Sequence, residues 1–171
     1  MSTESQKVAQ NEVSSVLETC LVDLGSKSLD RVVGRDDEID RLVEVLSRKD
    51  KNNPIIVGEA GVGKTSLVYG LVNRIKEGNV PKRLQGKKVV MLDVAVLASN
   101  LPYIKSIFNE VTETGGILFI DEIHNICGAG RNFGSLDVSN IMKPLLTNGD
   151  LTCIGATTYD EYTKYFESDS A

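Results

Sequence analysis

Apolar residues along the chain follow two spacings. Several stretches carry them three and four positions apart, as in helices with one buried face, and short continuous apolar runs lie between these stretches. An unbroken apolar run is typical of a strand that is buried on both faces of a parallel sheet. Strands that alternate with helices predict an α/β fold, a three-layer sandwich with a mostly parallel sheet. The helical stretches lie at 36–48, 66–78, 104–111 and 138–146, the last interrupted by Pro144, and Asp36 or Asp37 is expected to cap the first. The apolar runs lie at 54–57, 88–93, 117–120 and 151–155.

The first 28 residues differ from the rest because they are polar and weakly patterned. Val13, Val16, Leu17 and Leu21 offer at most one amphipathic helix. We therefore predict a linker or docking helix over residues 1–28 and a compact domain over residues 29–171.

A glycine-rich segment follows the first apolar run. Residues 58–65 read G-x-x-x-x-G-K-T and lie between a predicted strand and a predicted helix, the context of a phosphate-binding loop. Backbone N–H groups of such a loop converge on an anion, Lys64 would reach the β- and γ-phosphates, and the Thr65 hydroxyl would be a ligand for Mg²⁺. The bland alternative is a glycine-rich turn that caps a helix. The predicted nucleotide-binding residues here are Gly58, Glu59, Ala60, Gly61, Val62, Gly63, Lys64, Thr65 and Ser66.

Two carboxylates follow the apolar run at 117–120, in a pattern that looks like a Walker B strand. In parallel sheets, ligands collect at the carboxyl ends of the strands, so Asp121 is expected beside the phosphate-binding loop. There it would hold the Mg²⁺ shell through water, and Glu122 would orient and polarise the attacking water. A buried strand followed by an acidic helix cap is the alternative. Together, the two motifs predict a catalytic site for a nucleotide phosphate tail and Mg²⁺, with Lys64 and Glu122 in catalytic roles.

Composition narrows the class of protein. At 171 residues and 41% hydrophobic, the chain can bury a core without disulfides. The net charge of −5 and the scattered basic residues indicate no binding to nucleic acid. Three cysteines without metal-ligand or redox spacing suit a reducing compartment. Neither an apolar signal segment nor a membrane-spanning run is visible, so we expect a cytoplasmic protein, or an organellar one after processing.

From residue 29 onward the sequence resembles the first AAA+ module of the Clp unfoldase and disaggregase ATPases, of the ClpA, ClpB, ClpC and ClpE type. The resemblance implies the large, nucleotide-binding subdomain, with the helical lid beyond residue 171. It implies that Val32 and Val33 line the adenine pocket and that Thr158 is a sensor at the end of its strand. From the residues alone, the two valines would be core and Thr158 a helix cap. The matching stretches are 32–35, 51–54, 58–65, 79–81, 119–124, 128–130, 143–144 and 154–162.

The resemblance also implies a function. Clp-type modules couple ATP hydrolysis to the unfolding of protein substrates in a ring, usually a hexamer of one or more kinds of chain, and some dock a peptidase partner. An alternative is a regulatory or structural AAA+ module with little hydrolysis and no polypeptide threading. A nucleic-acid AAA+ protein such as a clamp loader shares the core motifs, but the absence of a basic face argues against it.

Several residues depart from the family pattern or carry no clear role. The family has a Lys-Tyr-Arg-Gly-like loop that grips the polypeptide, whereas residues 96–105 are shorter and Tyr103 is expected to pack at a helix start. His124, the single histidine, is expected to bond locally and not to activate water. Arg131, in the glycine-rich segment 128–134, faces a central pore if the segment matches the family's secondary pore loop, and is otherwise on a surface loop. No arginine follows Arg131, so an arginine finger is not expected within these residues.

Overall fold

The computed structural model describes residues 3–127 and 138–167. Its centre is a five-stranded sheet in the order β1-β3-β4-β5-β2, in which β1 runs antiparallel to β3 and the other neighbours are parallel. The strands are β1 (Leu21–Asp23), β2 (Ile55–Val57), β3 (Val89–Leu92), β4 (Ile117–Ile120) and β5 (Thr152–Thr157). The predicted α/β fold with a mostly parallel sheet is confirmed.

Within the described residues, eight helices pack around this sheet. They are α1 (Thr3–Cys20), α2 (Asp36–Leu46), α3 (Lys64–Lys76), α4 (Val94–Ala98), α5 (Ile104–Glu113), α6 (His124–Cys127), α7 (Val138–Thr147) and α8 (Tyr159–Tyr165), with short 3₁₀ helices at Leu24–Ser26 and Leu101–Tyr103. No helix within residues 3–127 and 138–167 is long and apolar enough to span a membrane.

Side chains of β4 divide the core into two layers. Leu118 and Ile120 pack with apolar residues of α1, α5 and α7, and Ile117 and Phe119 pack with those of α2 and α3. All four side chains are at most 1% exposed. Full burial of such a side chain contributes about 1.5–3 kcal/mol each. The apolar run at 117–120 therefore forms the strand buried on both faces that its sequence predicts, at the middle of a three-layer sandwich.

The N-terminal segment contributes to the sheet, which the sequence did not indicate. Strand β1 pairs with β3 in the register Leu21↔Leu92 and Asp23↔Val90. Leu24, just after it, is fully buried in the core. A strand of three residues is too short to show a period, so the apolar pattern predicted only a helix here. The domain boundary at residue 28 stays a prediction, although the segment before it supplies the edge strand.

Two local expectations about helices are wrong. The pattern predicts an interruption of the last long helix at Pro144, whereas α7 continues through this residue to Thr147. Pro144 lies in the last turn, and its missing N–H removes only the hydrogen bond to the carbonyl four residues before it, so the helix can continue for three more residues. Asp36 and Asp37 were candidates to cap α2, but the cap position is Arg35 and both aspartates lie in the first turn. In the first turn, their negative charges still interact favourably with the positive end of the helix dipole.

Helices α2 and α3 pack closely because residue 70 of α3 has no side chain. A Cβ atom at Gly70 would collide with Ile39 Cδ1 and would lie 3.1 Å from Ile39 Cγ1 and 3.6 Å from Val32 Cβ. Ile39 is 3% exposed, so it has little room to move away. The glycine thus sets the distance between the two helices.

Gly70→Ala is expected to lower the free energy of unfolding by about 1–3 kcal/mol, the usual cost of overpacking a core. In an uncrowded helix the same change would raise stability by about 1 kcal/mol, because alanine is the better helix former. Urea denaturation followed by circular dichroism measures the sign. A more stable alanine variant would show that α2 and α3 do not pack as described.

Candidate active site

The loop between β2 and α3 bends at glycines that adopt left-handed backbone angles. Gly61 has φ 79° and Gly63 has φ 88°, conformations that L side chains rarely adopt. Gly58 lacks space for a side chain, because a Cβ atom there would lie 3.0 Å from Val62 Cγ2. Glu59 and Ala60 are exposed at the crest of the loop. The residues form the predicted strand, loop and helix, with the N-terminus of α3 at the loop.

Lys64 is buried under this loop. Its side chain is buried, at 7% exposure for the residue, and its Nζ donates hydrogen bonds of 2.9 Å to the carbonyl oxygens of Gly58 and Glu59. An ammonium group away from water needs such partners, because its desolvation is costly. The lysine therefore lies against the loop with which it is predicted to bind phosphate. Ser66 follows in the first turn of α3, and its Oγ lies 3.7 Å from where a Cβ atom on Gly63 would be.

The two predicted metal ligands are in contact although 56 positions separate them. Thr65 Oγ1, on α3, donates a hydrogen bond of 2.9 Å to Asp121 Oδ2, after β4. A hydroxyl and a carboxylate are hard oxygen donors of the kind that Mg²⁺ prefers, and Mg²⁺ commonly takes one or two carboxylates plus phosphate and water oxygens. Within the described part of the chain, no group of three or more His, Cys, Asp or Glu residues could hold a metal alone. The donor set fits Mg²⁺ that arrives with a nucleotide.

Glu122 occupies a turn with unusual backbone geometry. Its φ is 51°, in the left-handed region, which costs a non-glycine residue about 1–3 kcal/mol. The turn is held by two hydrogen bonds, from Glu122 N to Asp121 Oδ1 at 3.0 Å and from Ile123 N to the Ala156 carbonyl at 3.0 Å. The Glu122 side chain is 50% exposed. The carboxylate thus leaves the sheet at the same edge as Asp121 and remains accessible to water.

His124 bonds on both sides of its ring. Its Nδ1 lies 2.8 Å from Thr157 Oγ1, and its Nε2 lies 3.2 Å from Glu122 Oε2. Its side chain is 13% exposed. The prediction of a locally bonded histidine agrees with these contacts, but the sequence did not indicate which residues it would join.

Thr158, the predicted sensor, lies one residue beyond the strand. Strand β5 ends at Thr157, and the Thr158 hydroxyl caps α8 by accepting a hydrogen bond of 3.3 Å from Glu161 N. The cap that the residue pattern alone suggested is therefore present, and Thr158 directly follows the last residue of β5. Its sensor role stays a prediction. Thr157, which sequence reasoning did not single out, is fully buried at the end of β5.

Val32 and Val33 line a cleft of about 760 Å³, a size typical of small-molecule sites. Val33 is 81% exposed and Val32 is half-buried. On the cleft wall Arg74 pairs with Asp40 and, at 3.1 Å, with Asp36, and the hydrogen bond to Asp40 raises the pKa of Arg74. An exposed valine beside a cleft offers an apolar surface to a flat base. The predicted adenine role of both valines stays a prediction that this placement allows.

Arg35 connects the valine segment with the phosphate-binding loop. Its Nη1 donates a hydrogen bond of 2.9 Å to the Val62 carbonyl, and its Nε donates one of 2.8 Å to Glu38 Oε1. The stretch 32–35 matched the family pattern, but no role for Arg35 followed from it. Only the fold brings this side chain to a loop 27 positions away.

The remaining predictions concern Tyr103, Arg131 and the cysteines. Tyr103 directly precedes α5 and packs against the apolar core, as predicted. Arg131 and the segment 128–134 lie outside the described residues. None of Cys20, Cys127 and Cys153 forms a disulfide, and burial raises the pKa of the Cys153 thiol.

Comparison with known proteins places the chain in a family. The family model described as "ATPase family associated with various cellular activities (AAA)" matches residues 54–166. The chaperone protein ClpB of Gloeobacter violaceus is 50% identical over 152 residues, which are 84% of this chain and 17% of that protein. ClpB of Vibrio vulnificus is 46% identical over 173 residues, covering 94% of this chain and 20% of that one. The chain thus spans about a fifth of the length of these relatives.

Solved structures give the same result. The S. cerevisiae Hsp104–ADP complex matches with a TM-score of 0.79 and 38% identity, over 90% of this chain and 28% of that one. A closed-state cryo-EM reconstruction of Hsp104 with ATPγS and FITC casein matches with a TM-score of 0.78 and 38% identity, over 87% of this chain and 27% of that one. The phosphate-binding loop, the Thr65–Asp121 contact and these matches agree that the chain belongs to the AAA family of ATPases and is a Clp-type nucleotide-binding module.

Proposed function

We propose that this module binds ATP with Mg²⁺, hydrolyses it, and drives the remodelling of protein substrates in a Clp-type assembly. One observation carries the proposal: Lys64 and the Thr65–Asp121 pair meet at the carboxyl edge of the sheet, beside the turn that presents Glu122. These groups come from the phosphate-binding loop and the end of β4. A phosphoryl-transfer site needs this combination of positioning and charge.

Binding of the triphosphate would use groups that now bond within the protein. Lys64 Nζ would exchange the Gly58 and Glu59 carbonyls for phosphate oxygens, a stronger, charge-assisted partner. The N–H groups at the start of α3 and the positive end of its dipole add to the attraction. Val32 and Val33 would contact the adenine ring through the cleft that they line. The site therefore offers apolar contacts to the base and positive charge to the phosphates.

Thr65 and Asp121 would hold Mg²⁺, which when bound neutralises charge on the β- and γ-phosphates. Their present hydrogen bond keeps both oxygens close together. Glu122 would orient a water molecule toward the γ-phosphate and accept its proton. The Thr158 hydroxyl, which caps α8, would act as the sensor by turning toward the phosphate or the attacking water.

The assembly is part of the same proposal. Loss of an arginine finger typically lowers phosphoryl transfer by about 10³–10⁵. From the resemblance to Clp-type ATPases, we propose that a neighbouring subunit of a homo- or hetero-hexameric ring supplies this arginine. Protein substrates are supported by similarity to Hsp104, whose structures include casein complexes. A peptidase partner remains a prediction of the resemblance alone.

A second function is favoured by the segment between β3 and α5. Here α4 and a 3₁₀ helix replace an extended loop, Leu97 is fully buried, and Tyr103 packs on the core. These aromatic and apolar side chains cannot grip a polypeptide while they are part of the core. The alternative is a module whose nucleotide site regulates an assembly without threading a polypeptide itself.

Lys64→Ala is expected to weaken ATP binding by about 2–5 kcal/mol, the usual cost of removing one partner of a buried charge contact. Glu122→Gln is expected to leave binding intact and to lower the hydrolysis rate by about 10²–10⁴. Calorimetry measures binding, and single-turnover hydrolysis with protein in excess over ATP measures the rate. The exposed Lys105→Ala and Glu110→Gln variants are matched controls. Unchanged hydrolysis in the Glu122→Gln protein would remove Glu122 from its proposed role.

Asp121→Asn tests the metal. The amide keeps the shape and can still bond to Thr65, but it loses the negative charge that attracts Mg²⁺. We expect the gain in ATP affinity on adding Mg²⁺ to shrink strongly, while affinity in EDTA is unchanged or higher. The comparison of calorimetric titrations with Mg²⁺ and with EDTA checks this, with the exposed Asp150→Asn as control. A full Mg²⁺ effect in the variant would exclude Asp121 as a metal-site residue.

Casein separates the two candidate functions. If the protein threads polypeptides, an unfolded substrate should stimulate ATP hydrolysis, and Tyr103→Ala should affect stability more than stimulation because Tyr103 packs on the core. If the module is regulatory, casein should leave hydrolysis unchanged while nucleotide still binds. A steady-state ATPase assay with and without casein distinguishes these results.

A further inference from the structure

The turn that carries Glu122 is attached to three successive residues of β5. Ile123 packs on Gly155, where an added Cβ atom would lie 2.9 Å from Ile123 Cδ1. Ile123 N bonds to the Ala156 carbonyl at 3.0 Å, and His124 Nδ1 bonds to Thr157 Oγ1 at 2.8 Å. The turn therefore cannot move far without breaking contacts with the strand.

Thr157 also contacts the phosphate-binding loop. Its carbonyl accepts a hydrogen bond of 3.2 Å from Gly58 N, the first glycine of that loop, and it pairs with Val57 across the parallel ladder. One buried residue thus bonds to the phosphate-binding loop through its backbone and to His124 through its side chain. His124 in turn reaches the Glu122 carboxylate.

When Glu122 is ionised and His124 is neutral, the chemistry of these groups sets the direction of both side-chain hydrogen bonds. An ionised carboxylate only accepts, so His124 Nε2 must carry the proton that bonds to Glu122 Oε2 at 3.2 Å. In a neutral imidazole the other nitrogen is then an acceptor, and the Thr157 hydroxyl donates to Nδ1. The result is a directed chain from Thr157 through His124 to Glu122. A carboxylate bonded through one oxygen keeps acceptor capacity at the other for a water molecule.

We propose that His124 is a positioning residue that holds the Glu122 carboxylate in its water-orienting position by linking it to Thr157, next to the phosphate-binding loop. The inference rests on the proposed hydrolytic role of Glu122. Its physical basis is that the Glu122 side chain is 50% exposed and would otherwise sample several rotamers, whereas the His124 ring is 13% exposed and bonded on both sides. Small misplacement of a reacting group is expensive, about 10²-fold for 1 Å.

Two variants of His124 separate positioning from a structural role. Asn places an amide near the Nδ1 position, so His124→Asn can keep the bond to Thr157 but has no atom that reaches Glu122. His124→Ala loses both bonds. We expect both variants to lower the single-turnover rate about 10- to 100-fold while ATP affinity is little changed. If His124→Asn hydrolyses ATP at the wild-type rate, the histidine is structural only and the proposal fails.

Two substitutions at Thr157 form a matched pair of variants. Thr157→Val removes the hydroxyl and keeps the branched shape, whereas Thr157→Ser keeps the hydroxyl and removes a methyl group. Loss of turnover in the valine variant, with recovery toward the wild-type rate in the serine variant, supports the hydrogen bond as the cause. The opposite order would point to packing and would overturn the link. Thermal unfolding of each variant confirms that it is folded.

A spectroscopic test needs no hydrolysis. His124 is the single histidine, so a long-range ¹H–¹⁵N spectrum shows one imidazole. For the neutral ring, we expect the tautomer with a proton on Nε2. Thr157→Val should shift chiefly the Nδ1 signal and Glu122→Ala chiefly the Nε2 signal. A proton on Nδ1 in the wild-type protein would overturn the proposal.

Failure of the hydrolytic role and failure of the link give different results. If Glu122→Gln hydrolyses ATP at the wild-type rate, the proposed function is wrong whatever the histidine spectrum shows. If Glu122→Gln is impaired and the His124 variants are not, only the positioning role is wrong. A correct link shows impaired His124 variants together with the Nε2-protonated tautomer.

Discussion

The place of β5 between β2 and β4 is the constraint on which the site depends. Val57, the last residue of β2, pairs with Thr157, the last residue of β5, and Ile120 at the end of β4 pairs with Gly155. Because the three strands are parallel, the segments that follow them leave the sheet at one edge. This places the phosphate-binding loop and the Asp121–Glu122 turn on either side of one strand. The Thr65–Asp121 hydrogen bond across that edge is a direct consequence.

Nucleotide binding would replace the hydrogen-bond partners of Lys64 but not those of the turn that carries Glu122. Lys64 is buried, and its Nζ donates hydrogen bonds to two loop carbonyls that stabilise its charge. A phosphate oxygen can replace these carbonyls as the acceptor at little cost in free energy. The contacts of Ile123 and His124 with β5 do not involve groups that would bind nucleotide. Lys64 can therefore exchange its hydrogen-bond acceptors while the turn that carries Glu122 stays fixed.

The sequence predicted those parts of the site that are local in the chain. The phosphate-binding loop and the carboxylates after 117–120 follow from residue types at fixed spacing, because neighbouring residues alone produce the turn and the strand end. Arg35, Thr157 and the role of His124 could not be predicted, since their contacts join positions 27 and 33 residues apart. Strand β1 was missed for a related reason. Three residues at a sheet edge acquire their structure from pairing with β3 and not from their own pattern.

The corner formed by β1, β3 and α4 fixes the conformation of the segment between β3 and α5. The Cys20 carbonyl accepts a hydrogen bond of 2.8 Å from Asp93 N, and the Asp93 carboxylate caps α4 by accepting from Ala95 N at 3.0 Å and Val96 N at 3.1 Å. Leu97, in the same short helix, is fully buried. If an extended loop replaced α4, the Asp93 cap would be lost and Leu97 would be exposed, which costs about 1.5–3 kcal/mol for this side chain alone. The N-terminal segment and α4 therefore stabilise each other, and they do so on the side of the sheet that is farthest from β2 and the phosphate-binding loop that follows it.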